Sequence, residues 1–210
     1  MNQSQVSLFA RLFRRHPQMS GLALLVFAIV AGLQTYYASS PPHQIAALID
    51  PAKLATLGPR AANPRVQKYV AILENARLAG DDPAVIAAEA VKIAGMRGEF
   101  AELTTATMLR NRIIAERLGC LTAAGLEAMS QGHAPTVQNG PYKGGPLSVD
   151  HIIPLSVVPA LDKVIANLEL MPLRMNESKN AKMGARQRDL LTKLRAAGVP
   201  CGDVASAGAR

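Results

Sequence analysis

Met19 to Ala38 reads MSGLALLVFAIVAGLQTYYA, 20 residues inside a longer stretch, Pro17 to Ile49, that holds no Lys, Arg, Asp or Glu. At about 1.5 Å rise per residue a helix of that length matches a hydrocarbon core of about 30 Å, so the run reads as a transmembrane helix. Tyr36 and Tyr37 stand at its far edge, where aromatic rings favour the interface. Two rivals compete with this reading. A buried core helix fits poorly with the terminal position and basic flank, and a cleaved signal peptide fits poorly with the bulky Tyr and the Pro residues of YYASSPP around the candidate site. An uncleaved signal anchor fits better than either. Arg11, Arg14 and Arg15 precede the span with no acidic residue among the first 18. The positive-inside rule therefore expects a cytoplasmic N-terminus and puts residues 40–210 across the membrane, in the periplasm if the host is bacterial.

The remaining length suits one compact domain, since domains usually run about 100–200 residues. With 49% apolar and 18% charged residues, disorder is excluded for most of the chain. Aromatic residues make up only 4% and Trp is absent, which argues against reading single strands by base stacking. The excess of 23 Lys and Arg over 15 Asp and Glu gives a net charge of +8, which favours nucleic acid or an anionic membrane surface as partner. Two cysteines, Cys120 and Cys201, exclude a disulfide-rich scaffold and a four-thiolate zinc site. One disulfide and two free buried thiols both remain compatible with them.

The expected organisation is a cytoplasmic basic N-terminus over 1–18, the span over 19–38 and a Pro-rich tether over 39–62. A helical scaffold over 63–132, a distinct unit with a basic helix over 133–197 and a flexible tail over 198–210 complete it. Asn63-Pro64 and Asp82-Pro83 predict helix starts, and Gly95 and Gly119 predict helix ends. A short fourth helix is expected around Leu126 and Met129, and Asn139-Gly140 predicts a hairpin turn. These Ala-rich helices read as scaffold. His133, beside Gly132, reads as a residue of a solvated turn.

Ser148 to Gly184, SVDHIIPLSVVPALDKVIANLELMPLRMNESKNAKMG, is different. An Asp-His pair ends an apolar strand, Asn167 follows His151 by 16 residues, and Asn176 comes 9 residues after that and opens a polar, basic helix. Hydrolysis of a phosphodiester needs a base for the attacking water and a hard cation for the phosphate and the leaving 3′ oxygen. His151 suits the base role, because imidazole is the side chain whose ordinary titration lies near neutrality. Asp150, its neighbour on an extended backbone, points the opposite way and can bind a metal. Asn176 offers a neutral oxygen, and two protein oxygens leave room for water and phosphate, as Mg²⁺ prefers, with Mn²⁺ as the alternative. Asn167, on a second strand, is placed to orient the imidazole.

Val149-Asp150-His151-Ile152-Ile153-Pro154, Asn167-Leu168 and Asn176 with Lys179 together resemble the motif of the HNH endonucleases. The likeness covers about 45 of 210 residues. It implies a ββα-metal unit, two antiparallel strands and a helix around one metal, within a mostly helical α+β domain. By that resemblance His151 is the general base, Asn167 the residue that orients it, and Asp150 and Asn176 the metal ligands. The Cys pairs that give many members a structural zinc are missing: Pro172 and Met175 stand in the expected places, so apolar packing must hold the unit. The segment from Ser156 to Ala166 is expected to contain a short helix.

Residues 171–195 carry seven basic residues, Arg174, Lys179, Lys182, Arg186, Arg188, Lys193 and Arg195, against Glu177 and Asp189. Such a run is usually a solvated helix face. Beside a phosphate-cleaving site it reads instead as a grip on duplex DNA, with Arg174, Lys179, Lys182 and Arg186 as the contacts. The expectation is a membrane-anchored, metal-dependent endonuclease that needs no small-molecule cofactor. The competing classes are a nucleic-acid-binding protein with a decayed site and a structural membrane protein whose basic helix binds anionic lipid.

Overall fold

The computed structural model describes residues 25–30, 32, 39–179 and 182–202. The chain divides into two compact units, Met1–Ser40 and Pro41–Arg210. In the first, residues 25–30 are helical, with Leu25, Val26, Phe27, Ile29 and Val30 exposed. The expected span, 19–38, and the basic N-terminus lie largely or wholly outside the described residues. Among the described residues no helix is long and apolar enough to cross a membrane.

The second unit is mixed α+β and mostly helical, with one two-stranded sheet among the described residues. Its helices are α1 (Pro41–Ile49), α2 (Pro51–Ala55), α3 (Asn63–Leu78), α4 (Pro83–Ile93), α5 (Gly98–Arg117) and α6 (Ala123–Ser130). Strands β1 (Leu147–His151) and β2 (Leu168–Pro172) follow, then α7 (Leu173–Ser178) and α8 (Ala185–Ala196). The Asp-Pro signal works as capping chemistry predicts. Asp82 accepts a hydrogen bond from the Ala84 N–H at 2.8 Å, and Asp50, before Pro51, accepts from Ala52 N–H at 2.9 Å.

Residues 39–62 are not a tether along their length. Ile45 and Ile49, four apart on one face of α1, are both 0% exposed and enter the main core with Val66, Tyr69 and Leu73. The folded unit therefore begins at Pro41 rather than near Asn63. Leu147, Leu168 and Leu170 belong to this same core, so the helical scaffold and the strands are one packed body. The Asn139-Gly140 region turns back on itself, but it forms an isolated bridge between Thr136 and Pro146 rather than a hairpin of strands.

A second core gathers under the connection between the strands. Ile153, Val157, Val158, Leu161 and Ala166 pack there against Leu191 and Leu194 of α8. The connection forms 3₁₀ turns at Pro159–Leu161 and Ile165–Asn167 in place of the expected helix. Closely spaced apolar residues that must all face one small core favour the tighter turn. The tail is also shorter than its composition suggests, because Val199 and Cys201 are buried in this core; residues 203–210 lie outside the described ones.

One polar side chain joins the two layers. Asn111 of α5, fully buried, donates from Nδ2 to the Leu168 carbonyl at 2.9 Å and to Tyr69 Oη at 2.6 Å, and its Oδ1 accepts from Leu170 N–H at 2.9 Å. Its amide thus serves the free edge of β2 as a third strand would, leaving neither backbone group unpaired.

Candidate active site

The strands pair antiparallel in the register Asp150↔Glu169 and His151↔Leu168. Because successive side chains alternate faces, Asp150 and Glu169 share one side of the sheet and His151 the other. Each of the neighbouring motif residues therefore meets a different environment.

His151 is the last residue of β1, and the chain beyond it is fixed by backbone pairing. Ile152 N–H donates to the Asn167 carbonyl at 2.8 Å. The Asn167 side chain closes the turn: Oδ1 accepts from Ile153 N–H at 2.7 Å, and Nδ2 donates to the Ile153 carbonyl at 3.1 Å and to that of Leu161 at 3.4 Å. The amide was expected to orient the imidazole directly. These bonds instead go to main chain, and its influence on His151 runs through the turn that carries the residue. Its burial explains the choice, since a fully enclosed amide must pair with whatever backbone surrounds it.

The imidazole meets Asp162, a residue outside the sequence motif. His151 Nε2 lies 3.0 Å from the Asp162 carbonyl oxygen and 3.1 Å from its Oδ1. Both partners are acceptors, so Nε2 carries a proton, and in the neutral ring Nδ1 carries the lone pair. That is the form an acid-base group needs in order to take a proton.

On the opposite face Asp150 Oδ2 accepts from Lys179 Nζ at 2.5 Å, and the same ammonium donates to the His151 carbonyl at 2.8 Å. Lys179, expected on DNA, is thus drawn to the carboxylate assigned to the metal. Asn176 lies within α7, three residues before Lys179 rather than at the start of a long helix, and its Nδ2 donates to Ser148 Oγ at 3.2 Å. The basic run is two helices, α7 and α8, with the exposed Lys182 between them. Arg174 is exposed on α7. Arg186 is committed elsewhere: its guanidinium grips the Glu169 carboxylate through both Nη atoms, with Nη1 at 3.0 Å from Oε2, and Arg110 stands 3.6 Å from the same group. The Glu169 carboxylate holds the Arg186 charge above the ordinary arginine range. A buried acid on a strand attracts the nearest fork donor, so Arg186 is a structural ion-pair partner first.

The two side chains expected to hold a metal carry hard oxygen donors, the kind a hydrated divalent cation takes. Asp150 brings one carboxylate and Asn176 one amide oxygen, and among the described residues no three His, Cys, Asp or Glu side chains come together. Lys179 already neutralises Asp150, so a metal ion bound there would have to displace the ammonium from the carboxylate.

No family model, curated protein or solved structure matches the chain. The site therefore rests on its own residues.

Sequence reasoning missed Asp162, Asn111 and the pairing of Lys179 with Asp150. Asp162 carried a faint signal, the one acid in a mostly apolar connection. Asn111 carried another, a mid-helix Asn, a residue type that seldom gains from a helix interior.

Proposed function

We propose that the chain is a membrane-anchored, metal-dependent endonuclease of the HNH type that hydrolyses phosphodiester bonds in DNA. The observation that carries the reading is the imidazole of His151 held with Nε2 against two oxygens of Asp162, one strand position from a carboxylate on the other face. His151 Nδ1 accepts a proton from water as the water oxygen bonds to phosphorus, and the bond from phosphorus to the 3′ oxygen breaks. Asp150 and Asn176 would hold the cation, which when bound supplies charge neutralisation at the phosphate and the leaving oxygen. Asn167 keeps the turn after His151 closed. Arg174, exposed on the helix that follows β2, and the exposed Lys182 bind backbone phosphates. The exposed apolar side chains of residues 25–30 support the anchor.

A second reading, a nucleic-acid-binding protein that no longer cleaves, is favoured by one observation: Lys179 already neutralises Asp150. Supercoiled plasmid incubated with the full chain in detergent separates the two. The nuclease reading expects nicked and linear products with Mg²⁺ or Mn²⁺ and none in excess chelator. Plasmid that is retarded but intact under every metal condition would establish the second reading.

A further inference from the structure

We propose that Asp162 is a positioning residue for His151, and that the segment 55–60 on the far side of the carboxylate is part of what holds the imidazole. The catalytic consequence rests on the nuclease reading; the structural part does not.

The two oxygens that face Nε2 both belong to Asp162, but only one of them is unavoidable. The carbonyl oxygen comes with any residue at that position, whereas Oδ1 requires the carboxylate. That carboxylate is itself fixed. Its other oxygen, Oδ2, accepts from the backbone N–H of Arg60 at 2.9 Å across 102 residues of sequence. Arg60 has φ of 57°, and it is the one non-glycine residue with positive φ among the described residues. A β-carbon in the left-handed region is uncommon and costs free energy, so the conformation has to be held by its surroundings. It turns the Arg60 N–H towards Asp162. The next residue ties the same two segments together, because Lys163 Nζ donates to the carbonyls of Ala55 at 3.0 Å and Leu57 at 2.7 Å.

The His151 and Asp162 side chains are 9% and 12% exposed, so water competes little for these bonds. With two acceptors at Nε2 the ring is held in one tautomer and one orientation. With the carbonyl alone it keeps a single acceptor and gains freedom to turn. Such a partner acts on the rate through the residue it holds; the hydrogen-bond partners of metal-ligating histidines, the nearest comparison, cost about 10–100-fold when removed.

The test uses the full chain in detergent, as the parent and as Asp162→Ala and Asp162→Asn, with two readouts. The first is steady-state cleavage of plasmid DNA. Asp162→Ala is expected to lower kcat about 10–100-fold with KM within about two-fold of the parent. The second is the tautomer of His151, read from one-bond and long-range ¹⁵N–¹H correlations of ¹⁵N-histidine protein at about pH 9, above the ordinary imidazole range, with the signal assigned by its loss in His151→Ala. The parent is expected to be Nε2-protonated, and Asp162→Ala to show a mixture of tautomers. If Asp162→Ala does not fold, Asp162→Asn, which keeps the shape and an acceptor but loses the charge, is expected to show the same changes in smaller measure. A parent ring protonated on Nδ1, a ring still wholly Nε2-protonated in the variants, or an unchanged kcat in a folded variant would each overturn the proposal. A parent that cuts no DNA sinks the nuclease reading, while the tautomer readout still decides whether Asp162 holds the ring.

Discussion

Asn111 and Glu74 show how single buried polar side chains carry this fold. Removing the Asn111 amide strands the Leu168 carbonyl, the Leu170 N–H and the Tyr69 hydroxyl inside the protein, and an unsatisfied buried group costs about 1–3 kcal/mol. Asn111→Ala should therefore lower unfolding stability by about 2–4 kcal/mol, read as a lower urea midpoint at unchanged slope. Glu74 accepts from Arg77 Nη2 and from Arg112 Nη1, each at 2.7 Å. The Arg77 hydrogen bond first, and then Arg112, holds its carboxyl below the usual carboxylate range in spite of burial. A lowered carboxyl contributes stability that is fully present above the unfolded value near about 4 and is lost as pH falls through the folded one. Glu74→Gln should thus be less stable than the parent at neutral pH, with the difference narrowing on acidification; a constant difference from pH 7 to the carboxylate range would contradict the assignment. Cys120 and Cys201 are free and buried, and burial pushes the Cys120 thiol up to about 11. Neither should react with alkylating reagent until the chain unfolds.

At the scale of elements, most helix boundaries were legible because they are local chemistry. Asp82-Pro83 starts α4 by a side-chain cap, and Gly95 and Gly119 follow α4 and α5 with φ of 78° and 67°, where a β-carbon is disfavoured. Asp50-Pro51 carries the same signal as Asp82-Pro83, yet the Pro density around it hides that α1 and α2 are packed. Their place is decided by Ile45 and Ile49 finding a core built mainly from residues much later in the chain. The candidate site divides in the same way. Asp150, His151, Asn167 and Asn176 stand out by their spacing within one short segment, but Asp162 meets His151 through a loop contact, and its carboxylate is held by Arg60, 102 residues earlier. No periodicity reports such a pairing. Close approach of elements gives a further expectation. A β-carbon on Gly125 in α6 would stand 1.9 Å from the Cys120 carbonyl oxygen, so Gly125→Ala must displace backbone and should cost about 1–3 kcal/mol, seen as a lower melting temperature.

For the molecule as a whole, the seven basic residues of 171–195 overstate the charge free to meet DNA near the strands. Lys179 and Arg186 lie against Asp150 and Glu169, and Lys193 pairs with Asp189. Arg174 and Lys182 are exposed. If each of these two meets a phosphate, replacing both by Ala should flatten the slope of log affinity against log salt by about 1.8 units on duplex DNA. Arg186→Ala should leave that slope within about 0.5 units and lower stability instead, by stripping Glu169 of its partner. The most direct test of the whole account is single-turnover cleavage of duplex DNA by His151→Ala beside the parent, with Mg²⁺ present and DNA affinity measured on the same samples. The account predicts cleavage lost by at least about 100-fold, the scale of general-base catalysis, with affinity within about two-fold, because the imidazole acts in chemistry while Arg174 and Lys182 supply binding. Cleavage by His151→Ala at the parent's rate would contradict it.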